Sequence, residues 1–326
     1  MRKGIIASLS ISALFAGAVF SFFFFSGEEQ TALAQTSCPA GSKKFTVFYS
    51  HWKKVRNHPN FEAAGLVEVP GAYEGNFLNK GCKWSGDGCS LNEKRLHHRL
   101  QKIAAEEGNS FPGLIHVDVE SVGLDTKSKV ARNFPMFSRI AEIIRKELPQ
   151  AKFAFYGTAG PGNINHDRLY AGHRALIQQA MDKGNLVAPV LQLADATNPQ
   201  AYTFDDVKAK WAKLAKFNID ESHRLAPGKP VYVVLKVVYN VHNPKFAWKP
   251  LPYDYVKFQL ETLLASGADG AVFWEGATRK WGGKKEDTQF WPAVLDFMKQ
   301  NKLCITGCGG GRHGSRLERK SNADRQ

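Results

Sequence analysis

Apolar segments of strand length alternate with segments of helix length along this 326-residue chain. That alternation constrains the fold more than any other feature. The spans 45–50, 66–69, 113–119, 152–157, 187–193, 231–238 and 270–274 read as strands, with 66–69 the weakest. The spans 91–107, 129–147, 167–183, 204–217, 254–265 and 288–301 read as helices. Such a pattern predicts a parallel sheet covered by helices. No dinucleotide fingerprint and no phosphate loop occurs, so the expectation is an α/β fold closed as a (β/α) TIM-like barrel of seven or eight parallel strands. An open doubly wound sheet is the alternative.

The two ends read differently from this middle. Arg2 and Lys3 precede an uncharged run from Gly4 to Phe25, and Thr31-Ala32-Leu33-Ala34 offers a cleavage site before Gln35. Residues 1–34 are therefore expected to be a secretory signal peptide, which makes the mature protein extracytoplasmic. If uncleaved, 4–25 is long enough to anchor the chain in a membrane. At the other end, 307–326 is a Gly- and Arg-rich segment without apolar periodicity, expected to be a disordered basic tail. The single barrel domain is expected over 35–306.

Strand parity then selects candidate site residues. Side chains alternate across a strand. In 113–120 Ile115, Val117 and Val119 share one parity, and His116, Asp118 and Glu120 the other. The apolar set should face the helices and the polar set the barrel interior. Asp118 and Glu120 then lie at the C-terminal end, where barrel enzymes keep their chemistry. The same count turns Tyr156, Gln192, Lys236 and Trp274 inward on other strands. Two acids two residues apart on one face stand roughly 6–7 Å apart. Repulsion and burial raise one pKa, so that one acid keeps a proton while the other ionises. Glycoside hydrolysis uses that division of labour. Two mechanisms follow. In one, Glu120 is the general acid, the substrate's own N-acetyl carbonyl attacks the anomeric carbon, and Asp118 orients the acetamide. In the other, an enzyme carboxylate attacks, with Glu275 the first candidate and Asp195 the second.

The residues also resemble a family. Gly113-Leu114-Ile115-His116-Val117-Asp118-Val119-Glu120 is similar to the strand that carries the acid pair in hyaluronidases. Ala154-Phe155-Tyr156-Gly157 resembles the family's Tyr-Gly segment. Pro230-Val231-Tyr232-Val233, running to Tyr239, resembles its Pro-Val-rich strand. Gly267-Ala268-Asp269-Gly270-Ala271-Val272-Phe273-Trp274 resembles its last strand, which ends in Trp. The resemblance loosely covers 45–300. It implies a distorted barrel and a secreted endo-β-N-acetylhexosaminidase acting by substrate assistance. Glu120 would be the proton donor, Asp118 the acetamide partner, and Tyr156 and Trp274 subsite residues. The family's second active-site Tyr aligns with Val234. A lysozyme-like cell-wall hydrolase and a non-catalytic polysaccharide-binding or surface barrel are the alternatives.

The net charge of +14 favours a polysaccharide partner that is anionic. No nucleic-acid-binding motif is present, no cofactor is implied and no metal site is expected; a membrane partner enters only if the N-terminal segment is uncleaved. Five cysteines in an exported chain make disulfides the expectation. Cys82 and Cys89 bracket a short loop and are the first candidate pair. Cys38 with Cys304 or Cys308 is the second, because the two ends of a closed barrel lie close together.

Overall fold

The computed structural model describes residues 44–50, 66–79, 89–158, 171–243, 245–274 and 290–303. The expected signal segment, the basic tail, Cys38, Cys82, Cys304, Cys308 and Glu275 lie outside the described residues. The strands are β1 (Thr46–Ser50), β2 (Val67–Glu68), β3 (Gly71–Tyr73), β4 (Leu114–Asp118), β5 (Lys152–Phe155), β6 (Tyr232–Leu235) and β7 (Gly270–Trp274). The helices are α1 (Glu74–Phe77), α2 (Glu93–Glu107), α3 (Lys127–Glu147), α4 (Arg174–Leu193), α5 (Lys208–Leu225), α6 (Tyr253–Ala265) and α7 (Phe290–Gln300). Asn92 and Thr126 cap α2 and α3 with side-chain oxygens that accept from Arg95 N and Lys129 N.

All strand pairings within the sheets are parallel, in the orders β2-β1-β7-β6 and β3-β4-β5. Two seams join these sheets. At the first, one extended run changes partner: Val69 N donates to Tyr49 O (2.8 Å), and His116 N donates to Pro70 O (3.0 Å). At the second, segment 197–203 lies between β5 and β6. Gly157 N donates to Asn198 O (2.9 Å), Tyr232 N to Thr197 O (2.9 Å) and Val234 N to Pro199 O (2.8 Å). Backbone hydrogen bonds thus run a full circuit around seven extended segments. This is the (β/α) barrel that the alternation predicts, with the irregular seams that the family resemblance implies. The β1–β7 contact needs glycine at position 270, where a Cβ would collide with the Thr46 carbonyl oxygen.

One expected strand is wrong. Residues 187–193 form the end of α4, not a strand. Ala180, Gly184, Val187, Val190 and Leu191 are its buried residues, a spacing of three and four that belongs to a helix. The apolar run there is short enough for strand and helix to look alike. The extended segment comes later, at 197–203, and contains the turn-forming residues Asn198 and Pro199.

The core has two outer layers and an inner one. Ile115, Val117, Val119, Phe153 and Phe155 pack under α2 and α3 with Leu96, Leu100, Phe137, Ile140 and Ile144. Val233, Leu235 and Phe273 pack under α5, α6 and α7 with Ile219, Leu260 and Phe297. The barrel interior holds Phe48, Val69, Leu114, Ala154, Tyr156, Tyr202, Val234 and Val272. The parity read from β4, β5, β6 and β7 therefore holds. Val234 fills the interior and does not reach the mouth.

Candidate active site

Asp118 ends β4, and Glu120 lies two residues beyond it. Asp118 is largely buried, and among the described residues its Oδ1 has no hydrogen-bond partner. Burial pushes its carboxyl up to about 8, helped by the charges of Glu120 and Glu74 and opposed by Lys236. Glu120 is exposed at the rim, yet partial burial and the Glu74 charge push its carboxyl above the usual range, again against Lys236. Two neighbouring acids that both resist ionisation titrate as a coupled pair.

Aromatic side chains surround the pair. Lys236, just past β6, places Nζ 4.2 Å from the Tyr202 ring centroid and 4.9 Å from that of Trp274. Tyr156 Oη lies 2.5 Å from both Gln200 Oε1 and Tyr202 Oη. The amide oxygen can only accept, so Tyr156 donates to Gln200 and accepts from Tyr202. Burial, then the neighbouring Tyr202 and the two acids, pushes the Tyr156 phenol well up, which keeps it a neutral donor. Tyr73, opposite Asp118 in the β3–β4 register, shares a 3.0 Å hydrogen bond with Ser50. Burial drives its phenol up as well.

Below this layer His116 is 1% exposed, with its ring 5.2 Å from Tyr156 and 6.0 Å from Tyr73. His116 Nδ1 lies 3.0 Å from the Asn198 amide. With the amide oxygen facing His116, that oxygen accepts from Nδ1, and Asn198 Nδ2 donates to Tyr232 O and Thr197 O at 3.2 Å each. A buried polar network of this kind fixes the seam under the site.

The structure thus brings together Asp118, Glu120, Tyr156, Lys236 and Trp274. It does not bring in Gln192, which lies on α4 and donates to Leu225 O at 2.9 Å. This corrects the expectation of an inward Gln192 and follows from the misread 187–193 strand. Asp195 is also placed away from the mouth. Its Oδ2 accepts from Phe153 N near the start of β5, and its Oδ1 lies 3.7 Å from Arg145. Glu275 is outside the described residues. Val234, which aligns with the family's second active-site Tyr, stays in the interior; Tyr202, from a segment that does not read as a strand, reaches the layer of Tyr156 and Lys236 instead. Sequence parity also missed Glu74, whose Oε1 and Oε2 accept from Ser121 Oγ (2.5 Å) and Ser121 N (2.7 Å). Ser121 O in turn lies 3.7 Å from the sulfur of Cys89. Cys89 is disulfide-bonded, to a partner outside the described residues. Among the described residues no group of His, Cys, Asp and Glu is arranged to hold a metal ion. Among the same residues no helix is long and apolar enough to cross a membrane.

The chain matches no protein-family model and no curated protein sequence. Solved structures do match it. A GH26 β-mannanase from Bacteroides ovatus aligns over 84% of this chain and 94% of its own, at 10% identity and a TM-score of 0.41. Bee venom hyaluronidase in complex with a hyaluronic acid tetramer aligns over 83% and 99%, at 14% identity and a TM-score of 0.49. Bee venom hyaluronidase in a monoclinic crystal aligns over 81% of this chain and 99% of its own, at 14% identity and a TM-score of 0.53. The chain thus bears a distant resemblance to hyaluronidase, and what the two share is the fold, a distorted (β/α) barrel.

Proposed function

We propose that this protein is a secreted glycoside hydrolase, an endo-β-N-acetylhexosaminidase that cleaves N-acetylated polysaccharide by substrate assistance. One observation carries the reading. A largely buried Asp118, with an unpartnered Oδ1 and a carboxyl pushed up to about 8, stands two residues from Glu120 at the C-terminal end of a barrel strand.

The chemistry follows from how that pair shares a proton. In the free protein burial keeps the proton on Asp118. An acetamide N–H reaching Asp118 Oδ1 stabilises the ionised form, lowers the Asp118 pKa and leaves the proton to Glu120. Glu120 then donates it to the glycosidic oxygen as the bond to the anomeric carbon breaks. The acetamide carbonyl oxygen attacks that carbon from the other face and forms an oxazolinium ring. Glu120, now a carboxylate, takes a proton from water, the water oxygen bonds to the anomeric carbon, and the ring reopens to the acetamide. Two inversions give net retention of configuration. In this reading Tyr156 and Tyr202 line the acetamide pocket, where Tyr156 exchanges its hydrogen bond to Gln200 for one to the acetamide, and Trp274 packs against the sugar face.

The test gives residues 35–326 hyaluronan, chondroitin, chitin oligomers and peptidoglycan and measures new reducing ends. Glu120→Gln is expected to lower turnover at least about 100-fold with folding intact. Proton NMR of the first product should show the β-anomer. An inverted product would sink substrate assistance, and a folded protein that cleaves none of the four would sink the hydrolase. Export of the barrel after removal of 1–34 is part of the same reading. Sequencing of the mature N-terminus should begin at Gln35, and a chain retaining 4–25 would show a membrane anchor instead.

A further inference from the structure

Glu74 stands at the mouth and takes no part in the steps above. It is the first residue of α1 and follows Tyr73, the β3 residue opposite Asp118. Both of its carboxylate oxygens accept from one residue, Ser121, through the hydroxyl and the backbone N–H. That N–H belongs to the peptide joining Glu120 to Ser121. The grip therefore pins the very peptide from which Glu120 projects. Ser121 is itself buried and Glu74 half-buried, so water competes with this grip from one side only. Neighbouring α2 steadies the other side. Arg95 donates to the carbonyls of Gly75 and Leu78, and Arg99 donates to that of Gly71.

We propose that Glu74 is a positioning residue for the acid pair: acting through Ser121, it fixes the Glu120 backbone and keeps a third carboxyl group beside Asp118 and Glu120. The inference rests on the reading of Glu120 as general acid. Among the described residues, Glu74 from α1 and Lys236 beyond β6 act on the pair, Tyr73 from β3 and Tyr156 beside β5 feel its charge, and His116 from β4 and Tyr202 from the 197–203 seam lie against Tyr156. Of these, Lys236 draws the pair toward ionisation and Glu74 opposes it. Removing the Glu74 charge lets both acids ionise at lower pH, and the acid form of Glu120 is lost earlier as pH rises.

The experiment compares Glu74→Gln, Ser121→Ala and Glu74→Asp in the full chain. Glu74→Gln removes the charge and leaves one acceptor oxygen for Ser121. It is expected to move the alkaline limb of kcat/KM down by about half to one pH unit. It should lower kcat about tenfold at neutral pH, with KM changed less than about twofold. Ser121→Ala keeps the charge, so its alkaline limb should stay in place while kcat falls. The second readout needs no substrate. Side-chain carboxyl carbons, titrated by 13C NMR, should show the Glu120 midpoint falling in Glu74→Gln. If neither the limb nor the midpoint moves in a folded Glu74→Gln protein, the inference is overturned. A midpoint that falls in a protein that cleaves nothing supports the role of Glu74 and defeats the hydrolase reading instead. Where Glu74→Gln fails to fold, Glu74→Asp tests the grip, because its shorter side chain cannot reach both Ser121 donors. A wild-type kcat in that variant would overturn the inference.

Discussion

Asp118 keeps its proton into the neutral range because its carboxyl has lost most of its water and faces two other acids. That has a cost in stability. Below about pH 4 the group is protonated in both the folded and the unfolded chain. Between about pH 4 and about 8 the unfolded chain ionises while the folded protein holds its proton, so stability falls as pH rises through that window. Asp118→Asn cannot ionise and escapes the loss. Its stability relative to the wild type should grow from pH 4 to pH 8 by an amount on the order of a few kcal/mol. Thermal melts at the two pH values check this, and a gap that does not widen would show that Asp118 ionises normally. Turnover should be lost at the same time, the exchange of stability for activity common at such sites. The acids themselves were legible in the sequence, because β4 is a regular strand whose parity cannot slip without burying the wrong face. Tyr202 and Glu74 were not, because each sits on a segment whose local residues disguise it. Pro70 and Gly71 break the run leading to Glu74, and Asn198 and Pro199 give the Tyr202 segment the look of a turn.

At the scale of elements, the seams are where sequence and fold part company. The run 66–73 trades one strand partner for another midway, so it shows no continuous apolar alternation. Segment 197–203 is held by what surrounds it: Asn218 Nδ2 donates to Gln200 O, Trp211 Nε1 to Ala201 O and Gln259 Nε2 to Thr203 Oγ1. Tertiary partners make that strand, and no local propensity announces them. The helix before it is closed in a similarly non-local way. Lys229 Nζ donates to the carbonyls of Leu191 (3.1 Å) and Gln192 (2.8 Å), in the last turn of α4, and to that of the capping residue Ala194 (2.6 Å). A cation there satisfies unpaired carbonyls and complements the helix dipole. Lys229→Met keeps the aliphatic stem and takes the donor from the Gln192 and Ala194 carbonyls, while Leu191 O keeps its bond from Ala194 N. It should destabilise the fold by about 1–3 kcal/mol, read as a lower urea midpoint. Because α4 leads directly into the 197–203 seam, hydrogen exchange should also quicken at Ala201 and Gly157. An unchanged midpoint would mean that water replaces the ammonium without loss.

For the whole molecule, charge is the property that the fold does not explain. The chain carries 44 basic and 30 acidic residues, and many of the described surface pairs bind one of each. Paired charges of that kind contribute little to stability, so the excess of +14 is free to act at long range on whatever approaches the barrel mouth. An anionic polymer would be drawn in, and a neutral one would not. The effect is distinguishable because salt screens it: from about 0.01 M to about 0.15 M the screening length falls from about 30 Å to about 8 Å. Over that range kcat/KM on hyaluronan should fall about tenfold or more, while kcat/KM on neutral chitin oligomers stays within about twofold. Parallel curves for the two substrates would show that the basic surface serves something other than substrate capture. A fall confined to hyaluronan would tie the charge of the whole chain to the proton chemistry at its centre. The acid pair would then be kept protonated by local burial and by Glu74, and the distant positive charge that brings a polyanion in would leave that local balance undisturbed.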